Sequence, residues 1–133
     1  MSANVLLIDD ETDFLSVMAE RMTMRGMQVA TASSARDGLA KVEAGDFDVV
    51  VLDLAMPEMD GVEALKQLKA KKPDLEVILL TGHASVKQGI EAMKLGALEL
   101  LEKPADMKAL IARIEAIQAQ KHDGRPENIM GGK

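Results

Sequence analysis

The chain has 133 residues, 47% of them apolar and 29% charged, which suits a single folded domain and excludes a disordered or fibrous chain. A net charge of −6, from 16 basic and 22 acidic residues, speaks against a direct grip on nucleic acid. No apolar run approaches the ~18 residues of a spanning helix, and Met1-Ser2-Ala3-Asn4 does not open a secretion signal. Cysteine is absent, so there is no disulfide framework or thiolate metal site, as expected of a cytoplasmic chain. Phe14 and Phe47 are the only aromatic residues, too few to stack bases or a flavin, and 10 Met residues share the packing.

In chain order, the first apolar run is Val5-Leu6-Leu7-Ile8, followed by a helical face of Leu15, Met18 and Met22. A weaker strand is predicted from Met27 to Thr31, then a helix with Leu39 and Val42 on one side. Val49-Val50-Val51-Leu52 is the next strand, and Val62, Leu65 and Leu68 mark the helix after it, which Pro73 stops. Val77-Ile78-Leu79-Leu80 precedes a helix with Val86, Ile90 and Met93 in one stripe. A weak strand from Leu98 to Leu101 leads to a last helix carrying Met107, Leu110, Ile111, Ile114 and Ile117. Gly26, Gly45 and Gly96 stand where helices should end. Uninterrupted apolar strands alternating with helices predict an α/β fold, a parallel sheet wound with helices on both faces. The domain is predicted to span residues 3–120, with residues 121–133 as a flexible polar tail that includes His122.

Ligands of open parallel sheets bind beyond the carboxyl ends of the strands. The residues that follow the runs are Asp9, Asp10 and Glu11, then Asp53, then Thr81, then Lys103. Taken singly each is ordinary, because Asp caps turns and helices and Lys faces solvent. Together, Asp9, Asp10 and Asp53 would repel one another unless a cation compensates, and a hard divalent ion such as Mg²⁺ fits oxygen ligands. Asp53 at a strand end can act as a nucleophile towards phosphorus. Lys103 and the Thr81 hydroxyl could then serve the oxygens of a transferring group.

Four segments carry a resemblance. They are Val5-Leu6-Leu7-Ile8-Asp9-Asp10-Glu11, Asp53-Leu54-Ala55-Met56-Pro57-Glu58-Met59-Asp60-Gly61, Leu80-Thr81-Gly82, and Gly96 through Lys103-Pro104. In this order the chain resembles the receiver domain of bacterial two-component response regulators. The resemblance implies a flavodoxin-like (βα)5 sheet with strand order 2-1-3-4-5. It implies that Asp53 accepts a phosphoryl group from a sensor histidine kinase or phosphotransfer protein. Asp10, Asp53 and the backbone carbonyl of Ala55 would bind Mg²⁺ (or Mn²⁺), with Asp9 acting through a water. Thr81 would be the switch hydroxyl, Lys103 would pair with the phosphoryl group, and the Lys103-Pro104 peptide would be cis. The fourth helix, last strand and last helix would dock a downstream protein or a second copy of the chain. No membrane contact is implied, and beyond self-catalysed phosphotransfer and autodephosphorylation the domain would not be an enzyme.

Two positions depart from the pattern. The switch position on the last strand, often Tyr or Phe, is Leu100, and the residue after Lys103-Pro104, often Phe, is Ala105. Output is therefore expected to rely on the Thr81–Ser85 loop and the following helix. His83 lies near where water would approach an acyl phosphate, although an exposed loop histidine needs no role. Three competing readings stay open. A haloacid dehalogenase-type phosphatase would want an acid at Ala55. A flavodoxin would not place three acids after its first strand. A receiver-fold interaction module acting without phosphorylation would have no use for the intact acidic set.

Overall fold

The computed structural model describes residues 3–56, 61–82, 86–103 and 106–123. Five strand–helix units follow one another: β1 (Asn4–Ile8), α1 (Thr12–Met24), β2 (Gln28–Ala32), α2 (Ala35–Ala44), β3 (Val49–Asp53), α3 (Gly61–Lys71), β4 (Glu76–Thr81), α4 (Val86–Lys94), β5 (Glu99–Glu102) and α5 (Met107–Asp123). The strands form one parallel sheet in the order β2-β1-β3-β4-β5, as predicted. The two weak strands lie one residue later than expected and occupy the sheet edges, where half-burial blurs their apolar pattern.

Each strand sends alternate side chains to opposite faces. On one face Leu6, Ile8, Val50, Leu52, Val77 and Leu79 pack under α2, α3 and α4 through Leu39, Val42, Leu65, Leu68 and Ala92. On the other Leu7, Val51, Ile78 and Leu80 meet Met18 and Met22 of α1 and Leu110 and Ile114 of α5. The central strands are apolar without interruption because both faces are covered. Ser34 caps α2 by accepting the Asp37 N–H at 3.1 Å. Gly26 and Gly96 end α1 and α4 in the left-handed region, with φ of 88° and 103°.

One expectation is corrected. The stripe of Ile90 and Met93 on α4 is not core: these side chains are 53% and 45% exposed. Among the described side chains of that helix the buried ones are Gly89 and Ala92, whose small size lets α4 sit close to the sheet. A Cβ at position 89 would lie 2.8 Å from Leu100 Cδ2, so Leu100 occupies the space a larger residue would fill. The side chain of Val86 is outside the described residues. The last helix, α5, runs from Met107 to Asp123. The apolar face ends at Ile117, and the good helix formers Gln118-Ala119-Gln120 carry the helix on, with Ala119 and Gln120 exposed. Residues 124–133 of the expected tail lie outside the described residues. Among the described residues no helix is long and apolar enough to cross a membrane.

Candidate functional site

The carboxyl ends of β1, β3, β4 and β5 bring the polar residues together. Backbone hydrogen bonds carry the sheet ladder past the strand ends and fix their positions: the Asp9 N–H donates to Ala32 O, Leu54 N–H to Leu80 O, and Lys103 N–H to Thr81 O, at 3.1, 2.9 and 2.9 Å. Asp53 is the last residue of β3 and pairs in register with Leu80, and Thr81 is the next residue on β4. Asp9, Asp53 and Thr81 are all buried, while Asp10 is exposed at the rim.

Carboxylate oxygens of Asp9, Asp10 and Asp53 lie within 4.8 Å of one another, the convergence expected from the sequence. Lys103 comes in from β5 and places Nζ 2.7 Å from Asp9 Oδ2 and 3.6 Å from Asp53 Oδ2. The same ammonium contacts Glu11 Oε1 and stands 4.4 Å from the centroid of the Phe14 ring. One oxygen of each buried carboxylate is held by backbone: Glu11 N–H donates to Asp9 Oδ1 at 2.9 Å and Ala55 N–H to Asp53 Oδ1 at 3.0 Å. The other Asp9 oxygen, Oδ2, has the charge contact with Lys103 but no aligned hydrogen bond among the described residues.

Burial pushes the Asp9 carboxyl up to about 6, against the pull of Lys103 and the Glu11 N–H, and the Asp53 charge raises it further. Burial opposes the charge on Lys103, yet Asp9, Glu11 and Asp53 outweigh it and hold the ammonium above its usual range. Three converging carboxylates with one ammonium leave uncompensated negative charge in a desolvated place. An under-bonded buried carboxylate oxygen beside two further carboxylates is a donor set that suits a hard divalent cation. Glu11 and Phe14 carry no role in the sequence pattern and join the site only in the fold. The signals for them were a third acid directly after Asp9-Asp10, and one of only two aromatics placed a helical turn later.

Leu100 lies on the face of the sheet opposite Leu101, half-buried against α4, and pairs in register with Leu79. Pro57 to Asp60, His83 to Ser85, and Pro104 with Ala105 lie outside the described residues, and with them the Lys103-Pro104 peptide and the His83 expectation.

A family model described as response regulator receiver domain matches residues 5–115. The transcriptional regulatory protein ZraR of Escherichia coli K12 is 37% identical over 119 residues, covering 90% of this chain and 27% of that protein. The chain thus spans about a quarter of the length of such relatives. A CheY-like receiver domain protein from Methanospirillum hungatei superposes with a TM-score of 0.85 at 28% identity, covering 92% of this chain and 99% of that one. A response regulator from Burkholderia pseudomallei, solved with a phosphorylated aspartic acid, calcium ion and citrate, gives 0.78 at 29% identity over 94% of this chain and 76% of that one. With fold, strand order and family model in agreement, the chain belongs to the response regulator receiver domain family of two-component signalling.

Proposed function

We propose that this receiver is switched by phosphorylation of Asp53, with a phosphohistidine of a sensor kinase or phosphotransfer protein as donor. The observation that carries the reading is the convergence of buried Asp53 with Asp9, Asp10 and Lys103 at one sheet edge. The phosphorylated aspartic acid and calcium ion of the Burkholderia relative support it. Asp10, Asp53 and the Ala55 carbonyl would hold Mg²⁺ or Mn²⁺ directly, with Asp9 acting through a water. The ion, when bound, neutralises charge on the transferring phosphoryl oxygens.

A carboxylate oxygen of Asp53 attacks phosphorus; an O–P bond forms as the N–P bond of the phosphoimidazole breaks. The departing imidazole nitrogen keeps the electron pair and takes up a proton. The backbone N–H of Ala55 steadies the Asp53 carboxylate for in-line approach. Lys103, already 3.6 Å from Asp53 Oδ2, pairs with the phosphoryl oxygens, and the Thr81 hydroxyl donates to another. Hydrolysis of the acyl phosphate resets the domain. Ala55 stands where a phosphatase would carry its acid, so the domain turns over no external substrate.

The added charge biases the end of β4 and, through it, α4. Exposed Ile90 and Met93 on α4, together with β5 and α5, form the surface on which a partner protein or a second copy docks. Beryllofluoride, a stable mimic of the phosphoryl group, tests the reading by NMR titration with Mg²⁺. Saturable shifts at Asp53, Thr81 and Lys103 are expected, and their absence would leave an interaction module that acts without phosphorylation.

A further inference from the structure

We propose that the first turn of α1 supplies a clamp, made of Glu11 and Phe14, that holds the Lys103 ammonium on the Asp9 side of the site and so restrains its move towards a phosphoryl group on Asp53. The inference rests on the phosphorylation reading above and names two positioning residues for it.

Glu11 stands at the N-cap of α1, a place where Ser, Thr, Asp or Asn would satisfy the first helical N–H groups. Its side chain makes no capping hydrogen bond; its carboxylate reaches across to Lys103 Nζ instead. Asp9 accepts the Glu11 N–H and so closes the turn that leads into the helix. Three residues on, Phe14 lies on the same side of the helix, and its ring faces the same ammonium at 4.4 Å. Phe14 itself is half-buried against the core shared by α1 and α5, so its ring is anchored.

Lys103 thus has contacts on two sides. Asp9, Glu11 and Phe14 hold it in place, with Asp9 at 2.7 Å, while Asp53 is farther away at 3.6 Å. A phosphoryl group on Asp53 competes for the ammonium with the carboxylate of Glu11, which is 64% exposed, whereas Lys103 is only 10% exposed. Removing the Glu11 charge lowers the cost of shifting Lys103. The gain is limited to what a largely exposed ion pair contributes, about two- to fivefold in an equilibrium.

The test uses beryllofluoride with saturating Mg²⁺ on the full chain, read by calorimetry, in a double-mutant cycle of Glu11→Gln and Lys103→Met. In the parent background, Glu11→Gln is expected to tighten binding about two- to fivefold. Met keeps the bulk of the lysine stem but carries no charge for Glu11 to hold, so in the Lys103→Met background the gain should shrink towards one. An equal gain in both backgrounds would show simple relief of charge repulsion on the anion and overturn the clamp. No gain in either would also overturn it, while the phosphorylation reading stands as long as the parent binds.

A second readout needs no phosphoryl mimic: the ¹⁵N-detected ammonium signal of Lys103. Slow hydrogen exchange is expected in the parent and faster exchange in both Glu11→Gln and Phe14→Leu, the latter keeping bulk while removing the ring. Unchanged exchange in both variants would contradict the clamp even if beryllofluoride fails to bind.

Discussion

Lys103 Nζ lies closer to Asp9 Oδ2, at 2.7 Å, than to Asp53 Oδ2, at 3.6 Å, so in the unmodified domain the ammonium chiefly neutralises Asp9. Lys103→Met should therefore leave Asp9 buried and unpaired, destabilising the metal-free protein by ~1–3 kcal/mol at about pH 8. The loss should shrink near pH 5, where Asp9 takes a proton, and Mg²⁺ should restore part of it at the higher pH. Urea denaturation with and without chelator checks this; an equal loss at both pH values would contradict the pairing.

Asp10 is exposed and has no ion-pair partner among the described residues, yet it shares the acidic cluster. Asp10→Asn is thus expected to weaken Mg²⁺ binding at least ~10-fold while leaving metal-free stability within ~0.5 kcal/mol of the parent. Calorimetric titration suits the binding measurement, because without Trp or Tyr the chain offers little intrinsic fluorescence. Parent-like Mg²⁺ affinity in this variant would remove Asp10 from the ligand set.

Asp9 fixes a pH dependence. Its carboxyl moves from the ordinary 3.8 up to about 6 on folding, chiefly through burial, so the folded state holds the proton more tightly than the unfolded one. The stability this contributes is present below about pH 4 and is lost as pH rises through about 6. Relative to the parent, metal-free Asp9→Asn should therefore gain on the order of 1–2 kcal/mol between about pH 4 and pH 7. A difference that stays flat across this window would show that Asp9 is ionised throughout.

Two glycines separate a rigid contact from a soft one. A Cβ at Gly61 would lie 2.6 Å from Leu54 Cα and 2.9 Å from Leu54 O, and backbone cannot yield easily. Among the described residues, a Cβ at Gly89 meets only the terminal Cδ2 of Leu100, at 2.8 Å. Gly61→Ala should cost ~1–3 kcal/mol and disturb the approach of α3 to the site. Gly89→Ala should be close to neutral, since helix propensity offsets the repacking by ~0.5–1 kcal/mol. Thermal unfolding of the two variants checks the ordering; the reverse order would contradict it.

The fold was legible in the sequence where burial is two-sided. Val49 to Leu52 and Val77 to Leu80 carry no polar residue and form the middle of the sheet. The edge strands shifted by one residue because half-burial weakens alternation, as in β2. The α4 stripe misled because Ile90 and Met93 at helical spacing look like a core face, whereas Gly89 and Ala92 make the close contact. Periodicity counts large residues, and a helix seated through small ones defeats it. That Asp9, Asp10, Asp53, Thr81 and Lys103 gather at one edge was legible because strand ends in a parallel sheet share it. The part played by Glu11 and Phe14 was not, since it depends on where the long Lys103 side chain reaches.

Intact-mass analysis after incubation with acetyl phosphate, with and without Mg²⁺ and alongside Asp53→Asn, tests the central claim most directly. A gain of one phosphoryl group that requires Mg²⁺ and is absent from Asp53→Asn is expected. A parent that gains none, or a variant that still gains one, would contradict it.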